Sequence, residues 1–321
     1  MNLEPVAIVG AGTIGGLTAG HLARVVDVTV LVRRAEHAEA LNSRGLRISG
    51  KSDFTAEVRA TTDPADVSKC GLVILTPKAT QLDAAVAPLS DVPQNTVFMT
   101  MQNGLGAEEV VLRHGAWPIV SAVTFMSGTR HSDEHVEYEL DTATWMGPFH
   151  GTDTDLATVE TIGDMFRRAG LKAEVLPDLR PAQWSKLIFN SAVNGVAAIT
   201  DLGHTPLYAR RERNSDLGYL VADLMNEGKA VAKASGVDLF EDPWEMNTEA
   251  VSHGQTDSEE YAHVPSMLAD IRADRRTEVD FIIGSLVREG DRTGVDVPLS
   301  RALYRLVKAR DRSYDDRIGT S

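Results

Sequence analysis

Cysteine is almost missing from this chain: Cys70 stands alone among 321 residues. No internal disulfide is available, and no cysteine–histidine cluster has zinc spacing, so no metal site is expected. Cys70 reads as a small apolar residue near a strand. Long apolar runs are missing too. None reaches the roughly 20 residues of a membrane span, and "MNLEPVAIVG" enters a strand without a basic leader, so neither a span nor a secretory signal is expected. A reducing cytoplasm fits these absences. Basic residues are the minority charge: 32 Lys and Arg against 46 Asp and Glu leave a formal net charge of −14. Such a surface repels nucleic acid and anionic membranes, so neither is an expected partner. An anionic ligand would need a local basic cluster set against that field. Internal repeats and low-complexity tracts are also lacking.

What is present suffices for two cores. The length suits two domains better than one, and a hydrophobic content of 43% lets each half bury its interior. "VAIVG" (6–10), "VTVLV" (28–32), "LVILT" (72–76), "TVFMTM" (96–101) and "PIVSAVTF" (118–125) are apolar without alternation. Strands covered by helices on both faces have this texture. Helical stretches such as "TIGGLTAGHLARV" and "KATQLDAAVAPL" lie between some of them. The pattern predicts an α/β fold with a doubly wound parallel sheet, closed by "HVEYEL", "TATWMG", a helix near 153–170 and "KAEVL". Strand-like runs then stop. Helices are expected over 181–199, 215–235, 264–290 and about 297–310. The acidic stretch "DLFEDPWEMNTEAVSHGQTDSEEY" reads as a loop or as a helix broken by loops. The turn "LPDLRP" marks the boundary between a domain of residues 1–177 and one of 178–321.

"VAIVGAGTIGGLTAG" is a strand, a Gly10-x-Gly12-x-x-Gly15 loop through Thr13 and Ile14, and a helix. The first glycine permits a tight turn and the second admits a pyrophosphate to the backbone. The third lets helix and strand pack closely, while the helix N-terminus faces the negative charge. Such a loop is a weak sign alone, but a preceding buried strand and a following helix supply its context. At the end of the second strand an NAD enzyme carries an acid for the ribose 2′-hydroxyl. Here stand Arg33 and Arg34, with no acid before Glu36. Arginine there suits the 2′-phosphate of NADP, and of the two Arg34 is the one expected to be merely solvated. Lys78 and Asn103 each follow a strand at its carboxyl end, where open α/β sheets bind ligands; ordinary turn chemistry is the competing account, for Asn103 especially.

"WSKLIFNSAVNGVAAIT" poses a different question. In this apolar helix Lys186, Asn190 and Asn194 fall within about 80° of one another, one narrow polar stripe. A solvent-facing stripe would be the plain explanation, but asparagines are poor helix formers, and a stripe facing a cleft suits them better. In "PSMLADIRADRRTEVDFIIGSL" a helical reading puts Glu278 among Met267, Ile271 and Ile282, where an unpaired carboxylate is costly. A salt pair with Arg275 or a turn towards Lys186 would satisfy it. Ser266, beside Pro265 at the helix start, reads as a capping hydroxyl or a ligand donor.

"VGAGTIGG", "VLVRR", "TPK", "QNG", "WSKLIFNSAVN", "SMLADIRADRRTEVDFIIG" and "VREGDRTGVDVP" make the sequence resemble the ketopantoate reductase family (2-dehydropantoate 2-reductase) along nearly its whole length. The lysine–asparagine–asparagine helix with the later Ser-Met and Thr-Glu pairs is its most specific part. The resemblance implies a Rossmann domain, an all-helical C-terminal domain and a cleft between them. It implies that Arg33 and Lys78 hold the NADP 2′-phosphate and that Asn103 lies near the nicotinamide ribose. Lys186 would be the catalytic lysine, Glu278 its acidic partner, and Asn190, Asn194 and Ser266 the substrate's ligands. The activity implied is NADPH-dependent reduction of 2-dehydropantoate to pantoate for coenzyme A. Burial would lower the pKa of Lys186 and a carboxylate would raise it; the sequence leaves the balance open. Gly195 stands where the family often has proline, and His263 where some members have asparagine. Both departures bear on the substrate, which leaves two alternatives: a reductase of another 2-oxo acid or an opine-type dehydrogenase, and a non-catalytic NADP sensor. A homodimer is compatible with the sequence, though no feature of it argues for one.

Overall fold

Residues 3–203, 215–246 and 264–318 are described by the structure, a computed structural model. The chain divides into two units, Met1–Gln102 with Gly106–Leu179, and Asn103–Leu105 with Arg180–Ser321.

The first unit is built on β1 (Val6–Val9), whose four residues are all buried. It pairs in parallel with β2 (Val28–Leu31) on one side and β6 (Leu72–Leu75) on the other, so that Val6 lies opposite both Val28 and Leu72. Beyond β2 comes β5 (Arg59–Thr61). Beyond β6 come β7 (Val97–Thr100), β8 (Ile119–Thr124), β11 (Thr144–Pro148) and β12 (Ala173–Val175). All neighbours run parallel except β11 against β8. The chain therefore winds one way from β1 and then the other, and the order reverses between β1 and β6. Alternation along β1 divides the interior. Val6 and Ile8 join one apolar cluster with Leu17 and Leu22, while Ala7 and Val9 join another with Leu82 and Trp117.

Helices α1 (Thr13–Leu22), α2 (Ala35–Arg44), α3 (Ala79–Val86), α4 (Ala107–Leu112) and α5 (Leu156–Arg168) belong to this unit. So does a small sheet that apolar runs did not announce, ordered β4 (Phe54–Ala56), β3 (Leu46–Gly50), β10 (His135–Leu140), β9 (Ser127–Arg130). Of its strands only β10 was anticipated, because β3, β4 and β9, like β5, are short and carry no apolar run. Small residues on α1 let that sheet approach. A Cβ on Gly16 would come within 2.8 Å of Val136, and one on Gly20 within 2.8 Å of Ile48.

The second unit is helical, with no strand among its described residues. Its centre is α6 (Arg180–Thr200), packed on α7 (Asp216–Ala234), α8 (Ser266–Arg272), α9 (Ile283–Thr293) and α10 (Pro298–Ile318). Gly228 lets Ile188 of α6 press against α7, and Gly195 does the same for Ile283 and Leu303, since a Cβ there would lie 2.6 and 2.7 Å from them. The glycine that departs from the family pattern is thus explained by helix packing. His263, the other departure, lies outside the described residues.

One expected element is corrected. Residues 264–290 are not a single helix: α8 ends at Arg272 and α9 begins at Ile283. Asp274 takes a left-handed φ of +49°. The N–H of Arg275 bonds back to the Asp270 carbonyl at 2.8 Å, and that of Asp274 to Ile271 at 3.2 Å. These paired bonds form a Schellman stop, disguised in the sequence because aspartate, not glycine, takes the left-handed position. Glu278 therefore sits in the turns before α9 and not on a helix with Met267 and Ile271, although all three are buried.

Candidate active site

The carboxyl ends of β1, β2, β6 and β7 lead into the glycine loop, the arginine pair, Lys78 and Asn103 respectively. β1 and β6 flank the reversal of strand order, the place where open α/β sheets take ligands. Gly10 has φ +90° and donates its N–H to the Leu31 carbonyl at 2.9 Å. Gly15 is demanded by the protein itself, since a Cβ there would collide with the Gly10 carbonyl and the Thr76 hydroxyl. Thr76 locks the turn by placing its Oγ1 2.9 Å from the carbonyls of Val9 and Gly10. Gly12 differs: its φ is −75° and a Cβ would meet nothing within 4 Å. No packing inside the chain asks for glycine at 12, whereas a ligand brought against the backbone would. Gly12 also caps α1 without any side-chain bond, which leaves the first N–H groups, with Thr13 and Ile14 half-buried beside them, suited to an anion. The loop therefore fits a dinucleotide pyrophosphate.

Arg33 and Arg34 are both exposed, and their surroundings differ. Arg34 is paired with Asp133, Nη2 lying 2.6 Å from each carboxylate oxygen. Arg33 makes no such contact with the described residues. Lys78 is half-buried at the start of α3. Its loop is pinned by a residue that sequence reasoning passed over: Gln102 donates from Nε2 to the carbonyls of Leu75 at 2.8 Å and Pro77 at 3.0 Å. Asn103 is half-buried and belongs with the second unit. There the Leu105 N–H reaches the Phe281 carbonyl at 3.2 Å, and Gly104, at φ +93°, leaves no room for a Cβ against the same carbonyl.

In the second unit the polar stripe of α6 is not solvent-facing. Lys186, Asn190 and Asn194 are only 7, 7 and 5% exposed. The side-chain amides of Asn190 and Asn194 make no hydrogen bond with any described residue. Their hydrogen-bonding groups are thus left uncommitted within a largely apolar helix, which suits an outside ligand that would bond to them. Burial pushes the Lys186 ammonium down to about 7, against the upward pull of the Glu278 carboxylate. Arg275, the alternative partner for Glu278, is taken by the buried Asp270 at 3.1 Å. Ser266 begins α8 and is exposed. Thr277, just before Glu278, donates to Oδ2 of the buried Asp311 at 2.8 Å, a link between the loop and α10 that nothing in the sequence marked. Among the described residues no group of three or more metal-binding side chains forms, and no helix is long and apolar enough to cross a membrane.

A doubly wound unit with a dinucleotide loop, followed by a helical unit with a buried lysine of near-neutral pKa, defines a two-part dinucleotide-dependent oxidoreductase. The family description Ketopantoate reductase PanE/ApbA matches residues 6–151, and its C-terminal counterpart matches 178–311. The chain belongs to this family. It is 32% identical over 304 residues to the 2-dehydropantoate 2-reductase of Pyrococcus horikoshii, covering 95% of this chain and 96% of that one. The Archaeoglobus fulgidus protein of the same name is 28% identical, with 96 and 98% covered. Among solved structures, a PanE/ApbA family ketopantoate reductase from Ralstonia eutropha JMP134 superposes with a TM-score of 0.83 at 27% identity, covering 97% of this chain and 99% of that one. A D-mandelate dehydrogenase with NADH and anilino(oxo)acetate shares the fold, with a TM-score of 0.84 at 24% identity and 97 and 99% covered.

Proposed function

We propose that this chain reduces 2-dehydropantoate to pantoate with NADPH. The observation that carries the reading is the stripe of α6: a lysine titrating near neutrality beside two buried amides that have no partner among the described residues. The names of full-length relatives support the same substrate. When bound, NADPH supplies a hydride to the carbonyl carbon of the 2-oxo acid. Gly10, Gly12, Thr13, Ile14 and Gly15 would hold the pyrophosphate, Arg33 and Lys78 the 2′-phosphate, and Asn103 the nicotinamide ribose. Lys186 stabilises the negative charge growing on the carbonyl oxygen and hands it the Nζ proton. Glu278 keeps that nitrogen charged more than burial alone would allow. Asn190, Asn194 and Ser266 bind the hydroxyl and carboxylate of the substrate. The dinucleotide domain is assigned to residues 1–177 and the substrate domain to 178–321.

The test is NADPH oxidation by the purified protein with 2-dehydropantoate and a panel of other 2-oxo acids, repeated with Lys186→Ala. Turnover strongest on 2-dehydropantoate, lost in the variant while NADPH still binds, is expected. A clear preference for another oxo acid would reject the substrate, and full turnover in Lys186→Ala would reject the mechanism.

A further inference from the structure

One charged cluster in the first unit has no role in this chemistry. It lies where the β9–β10 hairpin meets the start of α2. Arg34 Nη2 reaches both oxygens of Asp133, and Arg130 Nη1 donates to Oδ1 of the same carboxylate at 3.2 Å. His37 Nε2 lies 2.8 Å from the main-chain carbonyl of Asp133. A single acid thus gathers two guanidiniums and an imidazole just past the carboxyl end of β2, on a chain whose formal charge is −14. Glu36, in the first turn of α2, adds a weaker pull on Arg34. The neighbouring Arg33 is exposed and unengaged by any described residue.

Guanidinium recognises carboxylate and phosphate alike, through charge-assisted N–H···O bonds. Asp133 therefore occupies the group on Arg34 that a phosphate would use. We propose that Asp133 is a specificity-determining residue: it withholds Arg34 from the ribose 2′-phosphate and leaves that contact to Arg33. The inference rests on the reading of NADPH as the dinucleotide. The Arg34 side chain is 55% exposed, and exposed ion pairs are weak, so Asp133 moderates the preference without abolishing it. Two effects must be separated. Asp133 could act through Arg34, or its charge could repel phosphate from a distance, which would not require Arg34.

Asp133→Asn keeps the size of the side chain and the carbonyl that faces His37. Dissociation constants of NADPH and NADH would be measured by fluorescence titration of the full-length protein, for Asp133→Asn in both the Arg34 and the Arg34→Ala backgrounds. NADPH should bind about threefold to tenfold more tightly in Asp133→Asn, with NADH unchanged, and the gain should vanish without Arg34. Circular dichroism checks the fold, and Asp133→Ser replaces the asparagine variant if that proves unstable. An unchanged NADPH-to-NADH ratio, or a gain that persists in Arg34→Ala, overturns the proposal. A wild-type protein that binds NADH as well as NADPH sinks instead the reading on which it rests.

Discussion

Lys186 titrates near neutrality although the carboxylate of Glu278 acts to hold its proton. The buried surroundings of α6 outweigh that attraction and bring the ammonium from 10.5 to about 7. A group half protonated at neutral pH can release a proton to a developing alkoxide and recover it from water.

For carbonyl reduction the protonated lysine is the active form. The kcat/KM for the oxo acid should therefore be highest below pH 7 and fall as pH rises through about 7. Glu278→Gln removes the influence that raises the lysine, so the falling limb should move to lower pH, and activity lost at neutrality should partly return in acid. A pH profile that is flat from 6 to 9, or a limb unmoved in Glu278→Gln, would contradict the assignment.

The same residue should weaken the fold. Below pH 10.5 the unfolded chain carries lysine charged, whereas the folded chain must bury that charge or shed the proton. At about 1.4 kcal/mol per tenfold change in proton affinity, a drop from 10.5 to about 7 costs a few kcal/mol, in full below pH 7 and vanishing towards 10.5. Lys186→Met should accordingly raise Tm by several degrees at neutral pH while abolishing turnover. A thermal shift assay showing a lower Tm would mean that the ammonium is better satisfied than its burial implies.

Two glycines of one loop should respond oppositely to a methyl group. Gly12→Ala meets no atom within 4 Å at an ordinary φ of −75°, so stability should change by less than about 0.5 kcal/mol while NADPH affinity drops at least about tenfold. Gly15→Ala collides with the Gly10 carbonyl and the Thr76 hydroxyl and should lose on the order of 2–4 kcal/mol. Urea unfolding together with NADPH titration measures both. Unimpaired cofactor binding by Gly12→Ala would show that no ligand approaches that backbone.

Acid should destabilise the first unit through its histidines. Burial lowers His21, which lies 3.1 Å from the Ala169 carbonyl and edge-on to Phe54 and Tyr138, and it lowers His37 too. The unfolded chain then takes up protons first. Stability is whole above about 6.5 and declines as pH falls from there through the depressed folded values, by up to about 1.4 kcal/mol per pH for each group. Denaturant midpoints between pH 7.5 and 5.5 would show the slope, and His21→Phe should reduce it. An equal slope in that variant would place the acid sensitivity elsewhere.

Local sequence was sufficient wherever structure follows from near neighbours in the chain. Five apolar runs are β1, β2, β6, β7 and β8 because strands buried on both faces admit little else, and the glycine loop sits between a strand and a helix as its spacing requires. The α6 stripe was legible because a helix repeats every 3.6 residues whatever surrounds it. Other features depend on partners distant in sequence and had no local mark. The α8 stop hides in an aspartate, the small sheet pairs β3 with β10, and Asp133 finds Arg34 across the fold. Above all, the proton affinity of Lys186 is a contest between burial and the charge on Glu278, and only the folded chain sets the terms of each. Which residues carry charge is written in the order of amino acids; how much water and which opposite charge each one meets is decided when the helices close around it.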